Sequence, residues 1–291
     1  MTVSASVVRE LRERTGVGMM ECKKALVEVN GDIEAAQELL RKRGQAKADK
    51  KAGRIAAEGR VVLAEGAGGT AVLVEVNCET DFVAKDGGFE GLCNLVAGLA
   101  VEQRPADLDA LLALKTPAGT TIEEARRELV AKVGENINIR RFSLVEPAGE
   151  LGSYLHGTRI GVVVDVTGGD ADLRRDLAMH IAASNPQYVS ADDVPEEMKA
   201  KEREIFSAQA AQENKPPEIV AKMVEGRLRK YLGEISLLGQ PFVKDPDTSV
   251  EKLLKKQGAT IKRFVRLEVG EGIEKKVENI AEAVKAMESQ A

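Results

Sequence analysis

Tryptophan is absent from this chain of 291 residues, and aromatic side chains make up only 3% of it. A binder of single-stranded nucleic acid uses such rings as stacking platforms, and few are on offer here. Nor is the chain basic: its formal net charge is −5, whereas a dedicated nucleic-acid binder is usually positive, although a local basic patch remains compatible with that total. Histidine is almost missing. His156 and His180 stand in different contexts with no matching Cys or carboxylate spacing, and no HExxH or GxSxG segment occurs, so the converging nucleophile, base and metal ligands of an enzyme are not found. Thr167-Gly168-Gly169-Asp170 is glycine-rich but lacks the GxxxxGK[ST] pattern of a phosphate-binding loop, so no bound nucleotide and no cofactor are expected. Cys22, Cys78 and Cys93 include no CxxC pair, which argues against a zinc site and a disulfide framework. Cys22 and Cys93 fall in helical patterns and read as small apolar residues. No apolar run approaches membrane-spanning length, and Met1-Thr2-Val3 opens no signal peptide. A reduced, cytoplasmic, soluble protein is the expectation.

What is present centres on residues 78–86, CETDFVAKD. The preceding run Ala71-Val72-Leu73-Val74-Glu75-Val76 is rich in β-branched residues and predicts a strand buried on both faces. After Asp86-Gly87-Gly88, the residues Phe89, Leu92, Cys93, Val96, Leu99 and Ala100 recur at helical spacing. Thr80, Asp81, Phe82 and Val83 therefore lie in a strand-to-helix turn, where side chains can meet a partner. The acid beside the aromatic has two readings. Asp81 satisfies turn amides while Phe82 folds back into the core, or Phe82 projects as an apolar wedge with Asp81 as its polar companion.

Taken in order, residues 1–44 predict three short helices with Ser4 and Asp32 as caps and Gly44 at the end of the third. The first buries Val7, Val8 and Leu11, the second carries Met20, Ala25, Leu26 and Val29, and the third turns Ile33, Ala36, Leu39 and Leu40 inward. Residues 45–60 are dense in Lys and Arg and suit an exposed helical linker. From there the chain repeats itself: Val72-Leu73-Val74-Glu75-Val76 aligns with Val162-Val163-Val164-Asp165-Val166, and residues 139–146 (IRRFSLVE) align with 261–268 (IKRFVRLE). Two related subdomains, 61–150 and 151–269, are thus expected, each reading strand, helices, strand, in an α+β fold. The second alignment has the longer offset, by about one helical hairpin, and residues 187–232 supply it with two helical stretches broken at Asn214-Lys215-Pro216-Pro217. Met198, Ile205, Ile219, Met223 and Leu228 are expected to form the seam of a protruding antiparallel coiled coil. Residues 270–291 predict a terminal amphipathic helix.

CETDFVAKD strongly resembles the signature of the elongation factor Ts family. The likeness extends to residues 15–26 (TGVGMMECKKAL), 134–141 (GENINIRR), 153–157 (SYLHG), 239–243 (GQPFV) and 268–272 (EVGEG), in the family's order. The resemblance implies a guanine-nucleotide exchange factor without covalent chemistry. Such a factor binds GDP-loaded elongation factor Tu, dislodges its Mg²⁺ and promotes GDP release so that GTP can rebind. It implies that Phe82 is the wedge near the Mg²⁺ site of the partner, with Thr80, Asp81 and Val83 in the same segment and Asp81 disturbing the polar network around the ion. It implies an amino-terminal module of the ubiquitin-associated kind, with Met19 and Met20 as candidate contacts; one is expected in the bundle core and one at the surface. His156, Met223 and Val224 become further partner-binding candidates, His180 stays structural, and the hairpin is a possible route to a homodimer. The rival is a ribosome- or RNA-associated protein using residues 41–60, for which steep salt dependence of RNA binding is the mark.

Overall fold

The computed structural model describes residues 3–212 and 216–274. Three helices come first: α1 (Ala5–Thr15), α2 (Met19–Glu28) and α3 (Ile33–Lys51). The Ser4 and Asp32 side chains accept from the backbone N–H of Val7 and Ala35 and so cap α1 and α3. Val8, Leu11, Cys22, Ala25, Leu26, Ala36 and Leu40 form a small shared core. The first half of the remaining chain holds β1 (Glu58–Glu65), β2 (Ala71–Cys78), α4 (Asp81–Ala84), α5 (Gly87–Gln103), α6 (Leu108–Ala113), α7 (Ile122–Val133) and β3 (Ile137–Val145). The second half holds β4 (Glu150–His156), β5 (Ile160–Thr167), α8 (Ala171–Ser184), α9 (Glu196–Ala211), α10 (Pro217–Ile235), β6 (Pro241–Phe242), β7 (Asp245–Ser249), α11 (Val250–Gln257) and β8 (Thr260–Glu268). The fold is α+β, with helices packed on small antiparallel sheets.

The internal repeat is physical. Antiparallel sheets run β1-β2-β3 and β4-β5-β8, and the paired runs of the sequence are their central and last strands. Both sheets carry a bulge at the same place, between Glu75 and Val76 in one and between Asp165 and Val166 in the other. Each sheet also has a first edge strand, β1 or β4, that the pattern strand, helices, strand omits. These two strands follow or contain charged residues, Gly and Ser, so their alternation is weak. Val72, Val74 and Val76 face α5 through Phe89, Val96 and Ala100, and Val162, Val164 and Val166 face α8 through Leu177 and Ile181. On their other faces the sheets meet each other, through Val61, Leu73 and Val145 against Val163, Leu267 and Val269. Every residue of β2 is therefore buried, as expected for a strand covered on both sides.

That sheet-to-sheet junction contains two buried carboxylates at equivalent positions, and each holds the chain leaving the other subdomain. Glu75 on β2 accepts from Gly270 N–H, just after β8, at 2.8 Å. Asp165 on β5 accepts from the N–H groups of Ala148 and Gly149, just after β3, both at 2.9 Å. Position 270 must be glycine: its φ is +73°, and a Cβ there would stand 2.4 Å from the Ala57 carbonyl oxygen.

Three expectations need correction. The third helix does not stop at Gly44 but continues to Lys51, so the first part of the basic segment belongs to α3. Ala, Gln and Lys are good helix formers, and Gly44 lies against α7, where an added Cβ would meet the Ala131 side chain at 3.0 Å. The helix cost of glycine, about 1 kcal/mol, is offset by that close approach. Second, α9 and α10 pack as a hairpin, but Ile205 and Ile219 are exposed. Phe206 and Tyr231 meet edge to face with centroids 6.2 Å apart, and Ala210, Val224 and Leu228 are buried. At that level the seam thus passes through Phe206, one residue after Ile205, because register in a two-helix contact depends on the crossing geometry as well as the apolar count. Third, Met20 does not join Ala25 and Leu26 in the bundle core. The predicted terminal helix at 270–291 lies, from residue 275 onward, outside the described residues; residues 270–274 are turn and coil.

Candidate functional site

The exposed turn begins where β2 ends. Thr80 leaves the sheet in an extended conformation and caps α4, its hydroxyl accepting from Val83 N–H at 3.4 Å. One helical turn comes next, so the segment read as a turn is helical. Ala84 is buried and Val83 packs against the α5 core, which fixes the inner side of the turn. Phe82 points the other way and is 81% exposed. The Phe82 side chain therefore projects from the fold, and the reading in which it folds into the core is overturned. An aromatic side chain this open packs little against the rest of the described chain.

Asp81 accepts from Lys85 Nζ at 2.7 Å across one turn. That bond, with the charge of Lys85, holds the carboxyl below its ordinary pKa, so Asp81 is ionised at neutral pH. The pair is exposed, and solvent screens pairs of this kind so that they hold weakly. Asp81 is therefore free to exchange Lys85 for another cation or donor.

Behind the turn is a polar framework that sequence reasoning did not single out. Glu135 accepts from both Thr80 N–H and the Thr80 hydroxyl, at 3.1 and 2.7 Å. Glu79 accepts from Asn136 N–H at 2.6 Å and from Arg54 at 3.4 Å. Thr80 and Glu135, like Glu79 and Asn136, lie more than fifty positions apart, so no local pattern joins them; the one signal available was that 134–141 was itself a motif.

Met19 and Met20, in the first turn of α2, are 42% and 64% exposed. The expectation of one inside and one outside is corrected: Cys22, Ala25 and Leu26 already fill the inner face of α2, leaving no room for a methionine. Val27, also exposed, lies seven residues beyond Met20 and extends the same face. His156 ends β4 and is exposed, its Nδ1 3.1 Å from the Tyr154 hydroxyl. The hairpin tip beside it is pinned to β1: Thr158 C=O accepts from Val61 N–H at 2.8 Å, and Arg159 donates to Glu58 at 3.0 Å. Glu58 lies opposite Cys78 in the sheet, so the His156 hairpin and the Phe82 turn flank the same end of β1. Met223 and Val224 are brought to the hairpin of α9 and α10, away from that end. Met223 is half-buried and Val224 is only 5% exposed, turned into the seam.

His180 is fully buried. Its Nδ1 accepts from Val243 N–H at 3.2 Å, so Nε2 carries the proton and donates to Gln240 Oε1 at 3.0 Å. Burial lowers its pKa. It organises the 239–243 segment, and His180→Leu is expected to leave partner effects unchanged while lowering stability by about 1–3 kcal/mol, as an unpaired buried N–H does. Chemical denaturation of the variant checks this.

The basic stretch also has a structural account. Arg43 pairs with Glu28, Lys47 with Glu21 at 3.2 Å, Arg54 with Glu79 at 3.4 Å, and Asp49 of the same segment with Arg127 at 3.4 Å. Much of its charge is spent inside the molecule. Among the described residues no helix is long and apolar enough to cross a membrane.

The family profile described as Elongation factor TS matches residues 79–271, beginning at the exposed turn and ending at the Glu75–Gly270 junction. The chain is 62% identical to "Elongation factor Ts" of Thioalkalivibrio sulfidiphilus over 289 residues, covering 98% of each chain. It is 58% identical to the proteins of the same name in Methylococcus capsulatus and Halorhodospira halophila, again covering 98% of each. With the profile covering most of the sequence and these relatives matching nearly end to end, this chain belongs to the elongation factor Ts family.

Proposed function

We propose that this chain is a guanine-nucleotide exchange factor for elongation factor Tu, acting in translation elongation. The observation that supports it most is the 81% exposure of Phe82 on a turn whose other side is anchored in the core. A P-loop GTPase holds GDP through backbone amides around the phosphates and a Mg²⁺ bridging protein and nucleotide. A rigid apolar wedge that enters near that ion, with an ionised Asp81 beside it, weakens the grip without any bond being made or broken. The factor binds the nucleotide-poor state of its partner better, and by linkage GDP weakens the factor to the same degree.

One wedge does not suffice. Inverting a 1:99 equilibrium takes about 5.5 kcal/mol of differential binding, and burying one Phe supplies about 1.5–3 kcal/mol. In this reading the remainder comes from the outlying surfaces. Met19, Met20 and Val27 lie on α2, in a module of the ubiquitin-associated kind, and His156 lies on its pinned hairpin. Met223 sits on the α9–α10 hairpin, which reaches a more distant part of the partner. Val224 acts there by closing the seam. Thr80 and Val83 act by holding the turn.

The test is release of a fluorescent GDP from elongation factor Tu at fixed Mg²⁺. Substoichiometric amounts of the chain are expected to accelerate release, with raised Mg²⁺ opposing the effect. A folded chain that leaves the rate unchanged would overturn the proposal, and RNA binding across a salt series would be the next measurement.

A further inference from the structure

We propose that Glu135 is a positioning residue for Phe82: it sets the direction in which the wedge is presented, and its neighbour Asn136 ties that direction to the amino-terminal helices. The inference deepens the exchange reading and rests on it. α4 is a single turn of four residues, too short to hold a helical shape on its own. Val83 and Ala84 fix its inner side, and its direction depends further on what holds its capping residue, Thr80. Thr80 gives both of its donors, the N–H and the hydroxyl, to the two oxygens of the Glu135 carboxylate. With its proton committed there, the Thr80 oxygen presents a lone pair to Val83 N–H and closes the turn. Glu135 thus acts on Phe82 through Thr80.

The arrangement comes from the sheet. β2 and β3 pair antiparallel, and the last partners in register are Cys78 and Ile137. The next rungs of that register are Glu79 with Asn136 and Thr80 with Glu135. There the backbones no longer pair, and the glutamate side chains take over: Glu79 reaches across to Asn136 N–H, and Glu135 reaches back to Thr80. The ladder is extended by two rungs made of charge-assisted bonds, which are stronger than neutral ones. Asn136 adds a third strand of chain to the same node, its side-chain amide donating to the carbonyls of Ala52 and Arg54 at 3.3 and 2.8 Å. Ala52 is where α3 ends, and α3 carries the helices that expose Met19, Met20 and Val27. Two surfaces far apart in sequence are held at one point, which lets both engage a rigid partner without a further ordering cost.

The test measures GDP release from elongation factor Tu at saturating factor for the wild type, Glu135→Ala, Phe82→Ala and the double variant, with Glu135→Gln as the conservative control. Amide hydrogen exchange of residues 80–84 in each free protein accompanies it. Glu135→Ala is expected to slow stimulated release on the order of tenfold to a hundredfold, and to speed amide exchange at Val83 and Ala84. Glu135→Gln, which keeps one acceptor oxygen, is expected to recover part of the rate. In the Phe82→Ala background the Glu135 substitution is expected to cost nothing further, since the two residues act as one unit. Acceleration that Glu135→Ala leaves intact, or that falls equally with and without Phe82, overturns this inference alone. A wild-type chain that does not accelerate release overturns the exchange reading and this inference together, and unchanged amide exchange in Glu135→Ala overturns the geometric step regardless of the partner.

Discussion

Phe82→Ala is expected to slow stimulated GDP release by about 10- to 100-fold while leaving the fold untouched. The two halves of that expectation come from the same exposure. In the free chain the ring contacts almost nothing, so its removal falls among surface substitutions, which change stability by about 0.5 kcal/mol or less. In the proposed complex it is buried, and losing about 1.5–3 kcal/mol at the step where the Mg²⁺ contact breaks corresponds to that rate factor. Affinity for nucleotide-free elongation factor Tu is expected to fall less than the release rate, because the outlying contacts remain. Thermal melting, release kinetics and a binding titration separate these quantities. Equal losses in rate and affinity would reduce Phe82 to an ordinary contact, and a drop in melting temperature would mean that the ring supports the turn.

Glu75→Ala is expected to be the most destabilising single change outside the apolar cores, at about 3 kcal/mol. Glu75 is fully buried between the sheets and accepts from Gly270 N–H, Asn77, Arg140 and Arg141, the last at 2.5 Å. Removing one member of a buried pair typically costs about 3–5 kcal/mol. The low end applies because Arg140 and Arg141 are 25% and 34% exposed and can recruit water once freed. Burial by itself pushes the Glu75 carboxyl up, but the Gly270 amide, Arg141 and Asn77 together outweigh it and hold the carboxyl below its ordinary value. This fixes the sign of the pH dependence. A depressed folded pKa stabilises fully above the unfolded value, about 4.3 for glutamate, and the contribution is lost as the pH falls through the lower folded value. Urea unfolding of wild type and variant should therefore differ most near pH 7 and begin to converge only as the pH falls below about 4.3. A gap that stays constant with pH would mean that shape, not charge, is what Glu75 contributes. Loss of the Gly270 bond also frees the exit of β8 from the first subdomain, so the variant is expected to open the junction between the halves before either sheet melts.

Much of this protein is written locally. The β-branched run at 71–76 dictates a strand buried on both faces because no polar alternation lets either face meet water. The caps at Ser4 and Asp32, the apolar spacing after Gly88 and the paired motifs at 72–76 and 162–166 dictate helices, strands and an internal repeat, since each depends only on neighbours within a few residues. The motif at 78–86 and the order of the other motifs were enough to point to the family. What only the tertiary structure decided was direction and partnership. Whether Phe82 turns in or out depends on Val83 and Ala84 filling the space against α5, and on Glu135, fifty-five positions along the chain from Thr80. Met20 is exposed because Cys22, Ala25 and Leu26 took the inner face first. The seam of α9 and α10 is set by how the two helices cross, and α3 runs on past Gly44, where the close approach of Ala131 favours glycine. The exchange of Glu75 and Asp165 between the two halves has no local signal at all. Glu75 finds the Gly270 amide only when the second half has folded against the first, whereas Asp165 takes the amides of the segment that leads into β4, its neighbour in the sheet.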